Sequence, residues 1–124
     1  MNKIGIEYGK WLGQMDWNYL ATIRPHYSIS PIASDRMMRS LIKYQNIDRI
    51  FYALEKDRNC NMNHVHLMLK TNNDLDGDNL AKQLHLNPKA VGYFDEVNSP
   101  EAISFYCTKN ITKSHSHYDL LTSY

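Results

Sequence analysis

The sequence predicts an α+β domain: a central antiparallel sheet of split βαβ, ferredoxin-like type, with helices mainly on one face and an active site on the other. Three observations lead there. Segments rich in β-branched and aromatic residues recur between turn-forming stretches. Segments with helical spacing and recognisable start signals lie between them. In one segment, Asn63 to Lys70, His64 and His66 alternate with Val65 and Leu67, as in a strand with two unlike faces.

Taken in order, Ile4, Tyr8, Trp11, Leu12 and Met15 stand at helical spacing and predict a helix over 3–15. Trp17 to Ile23 (WNYLATI) is β-rich and runs up to Arg24-Pro25, which marks a first strand. Ser30-Pro31 is a helix start, a capping hydroxyl followed by proline at the first helical position. The helix is expected to continue through Met37, Met38, Leu41, Ile42 and Tyr44. Ile47 to Glu55 predicts the second strand, 57–63 a polar turn, and Asn63 to Lys70 the third strand. A short helix is expected within 73–85, weakened by Gly77, and a fourth strand over 90–97. Asn98-Ser99-Pro100-Glu101 starts a last helix reaching about Thr112. The tail, 113–124, receives no element. The order is therefore (α)-β-α-β-β-α-β-α, and such split units build an antiparallel sheet.

Composition narrows the function classes. The 124 residues suffice for one core. No apolar run approaches the roughly 18 residues that span a bilayer, and the N-terminus lacks the apolar core of a signal peptide. These features lead us to expect a cytoplasmic protein with no membrane partner. Cys60 and Cys107 form no C-x-x-C pair, so neither a disulfide framework nor a cysteine zinc site is indicated. Gly5 to Lys10 lacks the spacing and the hydroxyl residue of a phosphate loop. The formal net charge is only +1. That is modest for a nucleic-acid binder, whose affinity comes largely from neutralising phosphates, and it leaves room only for a local basic groove helped by a divalent ion.

The chemistry-bearing residues fall in two places. His64 and His66 are two apart in a strand, so both face one side while Val65, Leu67 and Leu69 face the other. A hairpin through 56–63 would bring Glu55 beside them. Two imidazoles and a carboxylate with open positions form a catalytic rather than a closed metal site. On the last helix Tyr106 and Lys109 are at i and i+3 and share a face. His26 and His85 carry no assignment. His115 and His117 repeat the His-x-His spacing in a polar tail and read as solvated.

Together these segments resemble the HUH endonuclease superfamily, and within it the replication-initiator (Rep) class. Leu20-Ala21-Thr22-Ile23-Arg24-Pro25 resembles the first Rep motif, His64-Val65-His66-Leu67 the metal-binding motif, and Tyr106-Cys107-Thr108-Lys109 the Tyr-x-x-Lys motif. The resemblance covers about residues 11–112 and implies one endonuclease domain over 1–124 without a helicase domain. It implies a Mg or Mn ion on His64, His66 and Glu55, with Tyr106 as nucleophile and Lys109 beside it. Thr22, Arg24 and Lys113 are the expected DNA contacts. The expected activity is nicking and joining of single-stranded DNA at a replication origin or hairpin, through a 5′-phosphotyrosine. It would begin rolling-circle replication in the host cell of a virus or plasmid, with a host helicase as a further partner. The alternatives are a single-tyrosine HUH transposase and a non-catalytic nucleic-acid-binding module, in which Tyr52, Tyr93 and Phe94 would stack bases.

Overall fold

The structure, a computed structural model, describes residues 3–44, 46–56, 62–98, 108 and 117–123. Eight elements follow one another: α1 (Lys3–Gly13), β1 (Tyr19–Ile23), α2 (Pro31–Leu41), β2 (Ile47–Lys56), β3 (Asn63–Thr71), α3 (Gly77–Gln83), β4 (Val91–Glu96) and β5 (His117–Thr122), with a short 3-10 turn at Pro88–Ala90. The five strands form one antiparallel sheet in the order β4-β1-β3-β2-β5. β3 lies between β1 and β2, and β1 lies between β3 and β4. Each helical crossover thus skips a strand, which is compatible with a split βαβ, ferredoxin-like arrangement.

The local signals act as physics requires. Ser30 Oγ accepts from the Ala33 N–H at 3.1 Å and Pro31 opens α2. Asp76 caps α3 by accepting from Asn79 N–H at 2.8 Å. Gly77 is the first residue of that helix, where the entropic penalty of a mid-helix glycine does not fully apply. α3 ends in a Schellman motif, Leu86 N–H to Ala81 carbonyl at 2.9 Å and His85 N–H to Lys82 carbonyl at 3.1 Å. Its left-handed position, φ 58°, is held by His85 rather than by glycine.

Two apolar layers hold the sheet. On one face Met38 and Leu41 of α2 and Leu80 of α3 pack with Ile23, Ile50, Tyr52, Val65, Leu67 and Leu69. On the other, Leu12 of α1 and Trp17 pack with Leu20, Phe51, Ala53 and Met68. Trp17 Nε1–H donates to the Leu12 carbonyl at 2.9 Å, occupying an acceptor at the end of α1. Two expectations change here. The face opposite α2 and α3 is partly roofed by α1, because Tyr8 and Leu12 bury against the strand side chains of that face. Residues 117–122 of the tail form a fifth strand. Residues 117–122 alternate Tyr118 and Leu120 toward the α1 side with His117, Asp119 and Leu121 toward the α2 side. The strand is polar enough to read as a loop because it lies at the sheet's edge.

Candidate metal centre

β1, β2 and β3 carry the site. Register places Glu55 directly opposite His64, Ala53 opposite His66 on one side, and Thr22 opposite His66 on the other. Directly opposed residues share a face, so all five stand together on the face that α1 partly covers. The small Ala53 leaves room beside the imidazoles. The hairpin expected from the sequence is therefore formed in the register that joins Glu55 to the histidine pair.

The donor atoms converge. His66 Nε2 lies 2.8 Å from Glu55 Oε2 and 3.2 Å from His64 Nε2. One ligand atom from each of the three residues falls within 4.8 Å of the others. The two rings stand nearly perpendicular, at 83°, with centroids 4.8 Å apart. Two ligands each about 2.1 Å from one ion, at octahedral or tetrahedral angles, stand about 3.0–3.4 Å apart. The nitrogen pair already has that separation, so little rearrangement would bring both onto one ion. Two neutral imidazoles and a carboxylate are a suitable donor set for a divalent cation. The group can hold a metal ion.

His64 and His66 are 3% and 2% exposed, so the expectation of an open histidine face gives way to a buried pair. Glu55 is partly exposed, with a side chain at 21%. Thr22, only 4% exposed, has its hydroxyl 3.2 Å from His66 Nδ1. With an ion on Nε2 the proton of His66 would sit on Nδ1, where that oxygen can accept it. Arg24 Nη2 approaches His64 Nε2 at 3.4 Å, and the Arg24 stem crosses Gly92, 3.5 Å from where a Cβ would sit. A fixed guanidinium charge thus stands at the edge of the site. The roles of Thr22 and Arg24 in this geometry were not readable from spacing alone, since β1 and β3 are 44 residues apart at this pairing.

Comparison of the chain with protein-family models, with curated proteins and with solved structures found no match.

Tyr106, Lys109 and Lys113 lie outside the described residues. Within their stretch Thr108 is described; its backbone is helical and its side chain fully buried. Two of the described tyrosines are held as phenols. Tyr118, across β2 from the histidine row, is pushed up to about 12, first by its hydrogen bond with Tyr8 and then by burial. Tyr52 is raised further, by burial and then by the Asp35 carboxylate it donates to. Among the described residues no helix is long and apolar enough to cross a membrane.

Proposed function

We propose that the chain is a metal-dependent, tyrosine-nucleophile DNA nicking and joining enzyme of the HUH Rep type, on a ferredoxin-like scaffold. The observation that supports this reading best is the convergence of Glu55, His64 and His66 on one point. Mg or Mn is the ion that the resemblance implies; the carboxylate suits either, while an imidazole pair would also accept Zn or Fe. When bound, the ion would supply positive charge to a non-bridging oxygen of the scissile phosphate.

The chain's own residues account for the rest of the reaction. His64 and His66 present Nε2, and Glu55 presents a carboxylate oxygen. The Thr22 hydroxyl can accept the His66 Nδ1 proton. Arg24 puts a guanidinium beside the phosphate, where a planar, permanently charged donor pairs well with phosphate oxygens. The Tyr106 oxygen attacks phosphorus as its proton leaves. The bond from phosphorus to the 3′ oxygen breaks, that oxygen takes up a proton, and the 5′ phosphate stays esterified to Tyr106. Lys109 offsets charge on the phenolate or the phosphate. Reversal by a 3′-hydroxyl rejoins the strand without loss of phosphodiester free energy. The substrate is single-stranded DNA at an origin or hairpin, with a host helicase supplying the strand. The raised pKa values of Tyr52 and Tyr118 count against those two residues as the nucleophile, since a phenol held protonated attacks poorly.

Tyr93 motivates a second reading. It is 47% exposed and stands opposite Thr22 on the same face, where an aromatic ring would suit base stacking in a non-catalytic module. Cleavage assays separate the two. A random-sequence single strand, labelled at either end and incubated with Mn, is expected to give a 5′-labelled product ending in a free 3′-hydroxyl and a 3′-labelled product attached to protein. Chelator or His66→Ala should suppress both, and excess Mn should partly restore His66→Ala. Binding without cleavage across the whole pool, indifferent to chelator, would establish the stacking module instead.

A further inference from the structure

Beside the metal centre is a cavity of about 540 Å³, bounded by the end of β1 and by the segment joining α3 to β4. Its size falls within the range of ordinary ligand pockets. Its walls include Arg24, His26, Tyr27, His85, Asn87 and Lys89, and the lining contains no carboxylate. The two walls are tied together where Arg24 N–H donates to the Ala90 carbonyl at 2.6 Å. The histidines that the sequence left without a role, His26 and His85, both line it.

The content of this cavity is specific. Tyr27 is 45% exposed and meets His26 edge to face, with ring centroids 5.5 Å apart. Asn87 accepts from the Lys89 N–H through Oδ1 at 2.9 Å, so what it offers a ligand is its amide donor. His85 occupies the left-handed position that closes α3, where glycine or asparagine is the ordinary choice. A histidine there places an imidazole at the cavity wall at a backbone cost. Aromatic faces, a directional amide and two cations are the groups that bind a nucleobase together with its phosphate. Arg24 belongs to both sites, lining the cavity and reaching to 3.4 Å from His64 Nε2.

We propose that this cavity is a nucleotide subsite. It takes one base of the single strand, stacked on Tyr27, while Arg24 and Lys89 hold the phosphates that lead to the Glu55, His64 and His66 group. The proposal rests on the strand-transfer reading above, and its test keeps the two apart. The full chain in chelator is titrated into a fluorescent random-sequence DNA single strand, and Tyr27→Ala and Lys89→Ala are compared with the wild type. In parallel, an iodouracil-substituted strand is photocrosslinked to the wild type, and cleavage in Mn is recorded. Both variant positions are exposed, and thermal unfolding checks that the fold survives.

The expected result is binding about tenfold weaker in Tyr27→Ala, a smaller loss in Lys89→Ala, and crosslinks to Tyr27, His26 or His85. Wild-type binding in both variants, with crosslinks elsewhere and cleavage intact, overturns the subsite and leaves the strand-transfer reading standing. Weakened binding with crosslinks in the cavity but no cleavage by the wild type supports the subsite and removes that reading. Should Tyr27→Ala fail to fold, the wild-type crosslinks decide alone.

Discussion

Thr22 is where the first strand meets the chemistry. Its hydroxyl is the partner of His66 Nδ1, and partners behind a metal-ligating histidine are worth about 10–100-fold in metal affinity. Thr22→Val, nearly the same shape without the hydroxyl, is expected to weaken Mn binding by about that factor while leaving the melting temperature nearly unchanged. Calorimetric titration with Mn checks it, and wild-type affinity in the variant would remove the positioning role. At this scale the sequence is informative where one local rule suffices. Strand alternation puts His64 and His66 on one face, and a hairpin of short reach brings Glu55 to them. It is silent where long-range register decides. Nothing near Thr22 in the chain announces that it stands opposite His66, or that Arg24 and Lys89 line one cavity.

The elements are held by contacts that make separate predictions. α1 docks through Leu12, fully buried against the sheet. Leu12→Ala is expected to destabilise the fold by about 2–5 kcal/mol, read as a lowered urea midpoint; a loss under about 0.5 kcal/mol would mean that α1 does not cover that face in solution. β5 is joined to α2 through Asp35, which accepts from Tyr52 and pairs with His117 at 2.9 Å, and through Arg39 and Asp119 at 3.2 Å. The Tyr52 hydroxyl chiefly, then His117 and Arg39, hold the Asp35 carboxyl below its ordinary value of 3.8 against the opposing effect of burial. A carboxyl lowered in the folded state stabilises fully above that ordinary value, and the contribution disappears as pH falls through the lower folded value. Asp35→Asn should therefore be less stable than the wild type at neutral pH, with the gap narrowing only below about pH 3.8. A gap that stays constant through that acid range would show that the carboxylate charge is not what joins β5 to α2. Polar strands of this kind are hard to find in sequence. His117 to Thr122 has the alternation of a strand, but its burial depends on two elements far away in the chain.

The molecule as a whole carries a net charge of only +1, which bears on how it can hold DNA. Non-specific binders draw affinity from many phosphate contacts, and each contact steepens the dependence on salt by about 0.7 for single strands. With Arg24 and Lys89 as the contacts, the logarithm of the binding constant should fall against the logarithm of salt with a slope of about −1.4. A slope several times steeper would point to a broad basic surface that this chain's composition does not suggest. The coarse class, α+β with an antiparallel sheet, followed from the order of strand-like and helix-like segments. The sheet order β4-β1-β3-β2-β5 did not, because strand order is settled by pairing between distant segments rather than by local pattern. The Glu55, His64 and His66 group and the cavity meet at Arg24. The most direct test is to form the covalent adduct on a random-sequence single strand in Mn, digest it, and locate the nucleotide by mass spectrometry. The expected result is a nucleotide esterified to Tyr106 and no adduct in chelator. An adduct on another residue, or one that forms equally without metal, would contradict it.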